Sequence, residues 1–373
     1  MRRRLSHSKL LAPVALLLVC ALTGGLLWHD LGAAQATPKS PPAHAAAARH
    51  SVLFGISDPE LINESASVQA AQLKRMRSIG IDSIRFDANW NWVQFAGPKS
   101  FDWTQLDREI HSSRAAGMTV DLQIDGCPPW AGAPADHGGH CALPASPLRF
   151  GTWAQEVAER YAPDGVHDFE IWNEPNLGVW WHHAVSSPAF YTKMLKAAYT
   201  DIKKVDPGAF IISGGLAPTT THGDSLSITD FLNGMYKAGA KPYFNAVGVH
   251  PYCYPSVPDD YESWSAWSQM SQTTPSVLSV MRRYGDSKKQ LWLTEFGVRS
   301  NRPGGAEVQA ASMTQAIAIA KSEPWIGSLY IYTWQDVGGH KNNPYGFGFG
   351  IIANDGKPKP AYTALQAAIA AKG

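Results

Sequence analysis

An excess of charge of either sign is absent from this sequence. Its 32 lysines and arginines face 31 aspartates and glutamates, which gives a formal net charge of +1. Four of the basic residues and one acidic residue lie in the first 36 positions, so the rest of the chain carries a charge of about −2. A chain without a basic patch has no electrostatic footprint for DNA or RNA. The composition therefore excludes a nucleic-acid-binding function.

Cysteine is also scarce, and no short sequence repeat is evident. Four cysteines among 373 residues exclude a disulfide-dense scaffold. No cofactor-binding motif appears either, so we expect no cofactor. By contrast, 45% hydrophobic and 17% charged residues are enough to build a large core, and they argue against extensive disorder.

The first 36 residues have the features of a targeting segment. A basic stretch, MRRRLSHSK, precedes a mostly apolar run from Leu10 to Trp28, and Ala34-Gln35-Ala36 has the small-x-small pattern of a cleavage site. The apolar run approaches the roughly 20 residues of a membrane span, so an uncleaved N-terminal membrane anchor is the alternative to a signal peptide. Residues 37–50 are rich in proline and alanine and predict a linker. Both interpretations predict a protein that is secreted or held in the cell envelope.

Beyond the linker, residues 51–373 alternate strand-like and helix-like segments. Eight runs with strand character begin near positions 52, 82, 119, 167, 209, 244, 290 and 327. Helical patterns separate them, as in SPAFYTKMLKAAYTDIKKVDPG, where Ser187 can cap a helix that Pro207-Gly208 stops. Eight such rounds predict an α/β fold, a (β/α)8 TIM barrel that forms a single catalytic domain.

Polar and aromatic residues collect where the predicted strands end. Active sites of TIM barrels lie at the C-terminal ends of the strands, which converge in space although they are far apart in sequence. The candidates, from the second, fourth, sixth, seventh and eighth strands, are Arg85, Asn173, Glu174, His250, Tyr252, Glu295 and Trp334. We therefore predict one site at the barrel mouth.

The segment FEIWNEPN, from Phe169 to Asn176, places a carboxylate in apolar surroundings. Burying an ionised carboxylate is costly unless it is paired or takes part in chemistry. Because neighbouring strand residues point to opposite faces, Asn173 and Glu174 cannot both enter a site from a regular strand. A bulge or a curl at the strand end must re-aim one of them, and Pro175 is consistent with such a break.

These residues carry a resemblance to a known group of enzymes. The motifs WNEPN, HPY, LTEFG and YTW, with the tail GIIANDGKPKPAYTAL, resemble the clan A retaining glycoside hydrolases, in particular families 5 and 39. The resemblance implies that Glu174 is the acid/base and Glu295 the nucleophile. It also implies that Asn173 contacts the sugar hydroxyl next to the reacting carbon and that Tyr252 donates a hydrogen bond to the nucleophile. The chemistry of this clan implies neither a cofactor nor a metal.

Physical reasoning agrees with these roles. A retaining glycosidase needs two carboxyl groups about 5 to 5.5 Å apart, one protonated and one ionised. Arg85 is placed to keep Glu295 charged. His250 is predicted to bind substrate, with a structural histidine as the alternative, and Trp334 is predicted to stack on a sugar ring. The sequence leaves open whether Trp90 and Trp92 belong to the core or stack on sugars.

The predicted function is a retaining glycosidase that cleaves β-O-glycosidic bonds of an extracellular or cell-wall polysaccharide. We expect a monomer, which contacts a membrane only if its N-terminal segment is uncleaved. Resemblance to exported actinobacterial family-5-like proteins makes β-galactofuranose-containing galactan the first substrate, with β-glucan, β-mannan and β-xyloside open. A transglycosylase would use the same covalent intermediate. The alternative from another class is a catalytically silent sugar-binding barrel.

The third loop, CPPWAGAPADHGGHC, allows two interpretations. Cys127 and Cys141 bracket His137 and His140, and such a set can hold zinc. Export implies an oxidising compartment, where a disulfide that closes the loop is more usual, so we predict a bond between the two cysteines and no metal. Cys253 is left over and is predicted to be a buried thiol.

Overall fold

The computed structural model describes residues 52–132, 143–181, 185–302, 304–337 and 348–371. The predicted targeting segment, residues 1–36, and the linker, residues 37–50, lie outside these ranges, as do His137, His140 and Cys141. Within the described ranges, no helix is both long enough and apolar enough to span a bilayer.

Eight parallel strands form one sheet in the described part of the chain, and each coincides with a predicted run. In chain order they are β1 (Leu53–Ser57), β2 (Ser83–Asn89), β3 (Thr119–Asp125), β4 (Asp168–Ile171), β5 (Phe210–Ser213), β6 (Val247–Val249), β7 (Leu291–Phe296) and β8 (Ile326–Tyr332).

Ten α-helices are found in the same ranges. They are α1 (Ala66–Ser78), α2 (Trp90–Val93), α3 (Thr104–Ala115), α4 (Pro147–Tyr161), α5 (Pro188–Val205), α6 (Ile228–Lys237), α7 (Ala266–Ser271), α8 (Val277–Arg283), α9 (Gly305–Ser322) and α10 (Pro360–Ala370). Helix α5 begins as its sequence predicts, because the Ser187 side chain accepts a hydrogen bond of 3.2 Å from the Phe190 amide. It ends before the Pro207-Gly208 pair.

The strands close into a barrel. Their order is β5-β4-β3-β2-β1-β8-β7-β6, so the first strand pairs with the last, in the register Leu53↔Ser328 to Ser57↔Tyr332. Between β5 and β6, the Ser213 amide donates to the Ala246 carbonyl at 3.0 Å, and the Leu216 amide donates to the Gly248 carbonyl at 3.0 Å. The predicted single-domain (β/α)8 barrel is confirmed.

Successive side chains of each strand point alternately to the outside and the inside of the barrel, which separates an apolar outer face from a more polar interior. Phe86, Leu122, Phe169 and Ile211 form a row across β2 to β5 that faces the helices. Towards the N-terminal end, the barrel interior is filled by aromatic rings, with Trp292 stacked on Phe210 at 5.0 Å. Tyr330 lies beside them and hydrogen-bonds Ser83 at 2.8 Å. This aromatic floor leaves the other end of the interior for polar side chains.

Trp90 belongs to the core and not to a sugar-binding surface. It is 2% exposed and lies parallel to Trp153, with ring centroids 6.0 Å apart. Trp130 packs against it edge-on at 5.5 Å, and the Trp90 indole donates its N–H to Gln94. Trp92, two residues further along α2, is instead 51% exposed. Of the two, Trp90 is therefore a core residue, and Trp92 is an exposed side chain for which sugar stacking stays a prediction.

Candidate active site

The chain leaves strand β4 through an irregular turn. The strand ends at Ile171, and two of the next three residues have left-handed backbone angles, Trp172 with φ 72° and Glu174 with φ 41°. Such angles are uncommon for residues other than glycine. The turn directs the Trp172 indole onto Trp181, with ring centroids 4.6 Å apart, and it brings both Asn173 and Glu174 to the barrel mouth. The predicted curl is confirmed.

Both carboxylate oxygens of Glu174 accept hydrogen bonds. Its Oε1 lies 3.0 Å from Nδ1 of His250, and its Oε2 accepts from the indole N–H of Trp180. Trp180 is 41% exposed, so this contact lies at the rim of the mouth. The carboxyl group is held in place while one side of it stays open to solvent.

Glu295 sits near the end of strand β7, within a register shift between Leu293 and Phe296 where β7 pairs with β8. Its Oε1 accepts from Nη1 of Arg85 at 2.7 Å, and its Oε2 accepts from the hydroxyl of Tyr252 at 2.9 Å. Burial opposes ionisation, but His250, Arg85 and these hydrogen bonds outweigh it and hold the pKa of Glu295 below its ordinary value of 4.5. Glu295 is therefore an ionised carboxylate that faces Glu174.

The two carboxyl groups are close together. One oxygen of Glu174, one oxygen of Glu295 and a ring nitrogen of His250 all lie within 4.8 Å of one another. The side chains of Glu174 and Glu295 are 15% and 14% exposed, so both glutamates can be reached from the mouth. The two carboxyl groups thus face each other across a short gap at the barrel mouth.

His250 is fully buried between the two glutamates, with Nδ1 3.0 Å from Glu174 and 3.8 Å from Glu295. Burial disfavours its charged form, but the two carboxylates together raise the pKa of the imidazole above 6.5. The ring fits because residue 215 is glycine: a Cβ built there would lie 2.1 Å from Nε2 of His250. The two carboxylates therefore favour the charged form of the histidine that lies between them.

Arg85 is 2% exposed and binds groups from several strands. Besides Glu295, it donates to Glu170 and Gln123, to Oδ1 of Asn173 at 3.0 Å, and to the hydroxyl of Ser57 at 3.0 Å. Glu170, on β4, is fully buried and also accepts from the Gly215 amide at 2.7 Å and from Thr294 at 3.0 Å. The Arg85–Glu170 pair forms the layer that supports the catalytic candidates from below.

Sequence reasoning gave no role to Glu170 or to two further carboxyl groups, Asp87 and Asp125. Burial and the nearby Glu295 and Glu170 raise the pKa of Asp87 to about 6, although Arg85 acts in the opposite direction. Burial, with a contribution from Asp87, raises the pKa of Asp125 well above its ordinary value. An acidic residue at alternate positions of a strand is the signal that could have found Glu170 and Asp87.

Trp334 is not part of this group, contrary to the prediction. Strand β8 ends at Tyr332, and Trp334 lies on the following segment with 1% of its surface exposed. Its ring packs against Tyr362 at 6.0 Å and lies under the guanidinium of Arg75, on the helix side of the barrel. Tyr332 instead ends the strand, half-buried, where burial and the negative charge of Glu295 raise the pKa of its phenol. It is the aromatic residue of β8 that faces the mouth.

A comparison of the sequence with family models decides the assignment. The family described as Cellulase (glycosyl hydrolase family 5) matches residues 46–335. The chain belongs to glycosyl hydrolase family 5. No curated protein is a significant match to this family 5 chain.

Solved structures with the same fold include enzymes of a second family of the clan. A family 39 glycoside hydrolase from Bacteroides cellulosilyticus WH2 has a TM-score of 0.65 at 22% identity, over 86% of this chain. This family 5 chain spans 64% of the length of that protein. A monomeric β-xylosidase from Caulobacter crescentus CB15 has a TM-score of 0.61 at 20% identity. The match covers 88% of this chain and 69% of the xylosidase chain. An exo-β-1,4-mannosidase from an Opitutaceae bacterium has a TM-score of 0.61 at 17% identity. The match covers 85% of this chain and 59% of the mannosidase chain. The resemblance to clan A glycoside hydrolases is thus confirmed.

Glu174, His250 and Glu295 are the group in the described part of this family 5 protein whose ligand atoms lie close enough to share a cation. The oxygens of Glu295 already accept from Arg85 and Tyr252, and those of Glu174 are taken by Trp180 and His250. Metal-bound carboxylates need oxygens that face the ion, and a raised pKa favours a protonated, non-ligating imidazole. The donor set therefore suits hydrogen bonding better than metal binding.

A pH profile should show how the family 5 site keeps Glu295 ionised. Tyr252→Phe removes a hydrogen bond that lowers the pKa of Glu295, so that pKa should rise. Activity that needs the carboxylate is lost as the pH falls through its pKa, which lies below 4.5 in the native protein. We expect the acidic limb of kcat/KM on an activated aryl glycoside to move to higher pH in the variant. Tyr261→Phe, at a position 61% exposed, is the control. An acidic limb that stays in place in Tyr252→Phe would contradict this account.

Proposed function

We propose that the protein is a retaining β-glycosidase that acts through a glycosyl-enzyme intermediate. The observation that carries this proposal is the separation of the two carboxyl groups, whose nearest ligand atoms lie within 4.8 Å of each other. Retaining enzymes hold their carboxyl groups about 5 to 5.5 Å apart, whereas inverting enzymes need about 6.5 to 9.5 Å to admit a water. The gap therefore supports direct attack on the sugar by a carboxylate.

The surroundings of the two glutamates support different roles for them. Glu295 lies near the end of β7 and is kept ionised by Arg85, His250 and Tyr252, as a nucleophile must be. Glu174 lies on the turn beyond β4, at the rim and next to the exposed Trp180, where a leaving group can depart. We assign attack on the anomeric carbon to Glu295. Glu174 then protonates the leaving oxygen and later takes a proton from the incoming water.

The other residues position the substrate and the charges. Asn173 is held by Arg85 beside the gap, where an amide can bind the hydroxyl next to the reacting carbon. Tyr332, rather than the predicted Trp334, is the ring on which the reacting sugar rests. Arg85 is occupied by Glu170 and Glu295, so it orients the nucleophile and is not free to bind substrate directly.

The substrate class is a carbohydrate with a β-linkage. The solved relatives include a β-xylosidase and an exo-β-1,4-mannosidase, which makes pyranosides of these types reasonable substrates to test. β-Galactofuranose in cell-wall galactan stays the first choice, on the sequence resemblance alone. A panel of aryl β-glycosides that includes furanosides would rank these sugars. Transfer to a sugar acceptor, which uses the same intermediate, would appear as longer products at high substrate concentration.

The acid/base assignment is tested by Glu174→Gln. The variant should lose roughly 10²- to 10⁴-fold in kcat/KM on substrates with poor leaving groups but retain cleavage of activated aryl glycosides, because only the former need protonation. Azide should restore turnover and give a glycosyl azide of retained configuration. Equal losses on both kinds of substrate, without rescue by azide, would contradict the role. A silent sugar-binding barrel would show no activity to lose in the native protein.

We further propose that the protein is exported and that Cys127 and Cys141 are linked in the exported form. The basic and apolar N-terminal pattern with its small-x-small site supports export, and a disulfide would close a loop rich in proline and glycine. Mass spectrometry of protein recovered from the culture medium or envelope should find a mature N-terminus after Ala36 and a linked peptide without reduction. An intact N-terminus in the membrane fraction would favour an anchor, and two free thiols with stoichiometric zinc would favour a metal site.

A further inference from the structure

Arg85, which orients the nucleophile in the proposed mechanism, uses all of its N–H groups. Its acceptors come from several strands and are the side chains of Ser57, Gln123, Glu170, Asn173 and Glu295. A guanidinium is a rigid fork of donors and has no acceptor, so these side chains together fix its plane. Any group that holds one of the acceptors in place therefore also helps to hold Arg85 against Glu295.

Gln123 is an acceptor whose direction must itself be fixed. Its amide carries an oxygen on one side and an NH2 group on the other. The oxygen accepts from Nη2 of Arg85, and Nε2 donates to Oδ2 of Asp125 at 2.7 Å. If the amide were reversed, its NH2 group would face a donor of Arg85, and its oxygen would face a carboxylate. Asp125 thus holds the Gln123 amide in the direction that Arg85 requires.

The other oxygen of Asp125 is bound by Asn89, its direct partner in the register of β2 and β3. Nδ2 of Asn89 donates to Oδ1 of Asp125 at 3.1 Å. The direction of the Asn89 amide is fixed in turn, because its oxygen caps α2 by accepting from the Asn91 amide at 3.0 Å. Residue 126 is glycine, and a Cβ built there would lie 2.6 Å from Oδ1 of Asn89. Hydrogen bonds thus run without a break from the start of α2 to Glu295.

We call Asn89, Asp125, Gln123 and Arg85 the positioning chain. Asp125, Gln123 and Arg85 are buried, and the helix that Asn89 caps begins with the core residue Trp90. The outer end of the positioning chain is therefore anchored by packing. Because both oxygens of Asp125 accept from protein groups, this residue acts through its neighbours and does not need to touch substrate.

The charges around Asp125 act in both directions. Burial and the charge of Asp87 raise the pKa of Asp125, with a smaller contribution from Glu170, whereas the hydrogen bond from Gln123 and the charge of Arg85 lower it. The groups that contact its two oxygens are both donors, and an ionised carboxylate accepts from donors on both sides. An asparagine at this position would offer an acceptor on one side only.

We propose that Asp125 is a positioning residue for the nucleophile. It fixes the direction of the Gln123 amide, which fixes the plane of the Arg85 guanidinium and with it the hydrogen bond to Glu295. This inference rests on the proposed role of Glu295 as nucleophile and adds the residues that hold it in place for attack.

Exchanging Asp125 with its partner Asn89 tests the positioning chain. In Asp125→Asn, two donors face one acceptor oxygen, so kcat/KM on an activated aryl glycoside should fall roughly 10- to 100-fold, the scale of a small misplacement near the reacting atoms. The double variant Asn89→Asp/Asp125→Asn restores every pair, because the new amide donates to the new carboxylate and still accepts from Gln123. We expect it to recover most of the loss. A double variant no more active than the weaker single variant would overturn the proposal.

Controls separate the positioning chain from general damage to the fold. Asp82→Asn, whose side chain is 58% exposed at the other end of β2, should behave like the native protein. Gln123→Met removes the link to Arg85, so Asp125→Asn should lower kcat/KM little further in that background. Losses that multiply would mean that Asp125 does not act through Gln123. If Asp125→Asn alone does not fold, Gln123→Met takes its place, because it should show the same loss while it keeps the pair of Asp125 and Asn89.

The pKa of Glu295 separates failure of this inference from failure of the proposed function, because its measurement needs no turnover. NMR titration of protein with 13C-labelled glutamate carboxyl carbons reports it, with the signal assigned by its absence in Glu295→Gln. Arg85 lowers the pKa of Glu295 in the native protein. We therefore expect Asp125→Asn and Gln123→Met to raise this pKa and the exchange of Asp125 with Asn89 to restore it.

The two kinds of measurement have distinct outcomes. If no glycoside is cleaved but the pKa of Glu295 follows this pattern, the glycosidase proposal fails and the positioning chain stands. If glycosides are cleaved but the pKa of Glu295 is the same in Asp125→Asn and Gln123→Met as in the native protein, the positioning chain is overturned and the glycosidase proposal stands.

Discussion

Replacing Glu295 by alanine should remove activity on every substrate, whether or not its leaving group is activated. The loss should be on the order of 10⁴-fold or more, because the attacking atom itself is removed and the remaining residues supply only binding and charge. Loss on every substrate distinguishes Glu295 from Glu174, because a Glu174 variant still cleaves substrates with an activated leaving group. Both kcat and kcat/KM should fall, since attack is made only on the way to the transition state.

The intermediate on Glu295 should also be observable directly. A fluorinated glycoside of the right sugar slows both steps, while its good leaving group preserves the first, so the glycosyl-enzyme should accumulate. Digestion and mass spectrometry should find the label on the peptide that contains LTEFG. Glu159→Ala, at an exposed position of α4, is the control and should be labelled like the native protein. A label on another carboxylate, or a first-formed product of inverted configuration, would contradict the retaining mechanism.

The second large effect is expected on stability. Arg85→Met leaves Glu170 fully buried without its ionic partner and removes a hydrogen bond from Glu295. Breaking one side of a buried pair costs about 3 to 5 kcal/mol. We expect a loss of this size in the free energy of unfolding measured with urea, together with a loss of activity, because Glu295 is no longer oriented. Arg77→Met, which breaks an ion pair whose side chains are 39% and 58% exposed, should cost less than about 1 kcal/mol.

A double-mutant cycle distinguishes a buried ionic pair from general damage to packing. Glu170→Gln removes the buried charge, so the double variant Arg85→Met/Glu170→Gln should be less destabilised than the sum of the two single variants. A difference of more than about 1 kcal/mol is expected for residues in direct contact. Strict additivity would mean that the two residues contribute independently and that the layer below the site is held by packing alone.

The sequence was sufficient for the architecture of the barrel but only partly for the layer beneath the site. Strands and helices follow local periodicity, which is why all eight strands could be placed and why the start of α5 at Ser187 was predictable. Glu170 was missed because its partners, Arg85 and Thr294, come from other strands. Its one local signal, acidic residues at alternate positions of β4, is a pattern that a strand at the surface also shows.

The residues beyond the strand ends were harder to predict. The curl after β4 could be inferred because Asn173 and Glu174 are neighbours that must face the same way. The direction of Trp334 could not be inferred, because it depends on where β8 stops. The strand ends at Tyr332, and the Trp334 carbonyl then accepts from the Ile352 amide at 2.9 Å, which turns the indole towards α10. Because β8 ends two residues before Trp334, the aromatic residue at the barrel mouth is Tyr332 and not the expected tryptophan.

The pairing of β1 with β8 bears on the order of events when the protein is made. Gly55 pairs with Tyr330, so the ring cannot close before almost the whole domain has left the ribosome. Arg85, Glu174 and Glu295 likewise come from early, middle and late parts of the chain. A nascent chain lacking β7 and β8 exposes the edge of β1 and leaves Arg85 without Glu295. Contacts between such distant parts of a chain make folding slow. Truncated products should consequently be inactive and be degraded, and the catalytic pair forms only in the complete barrel.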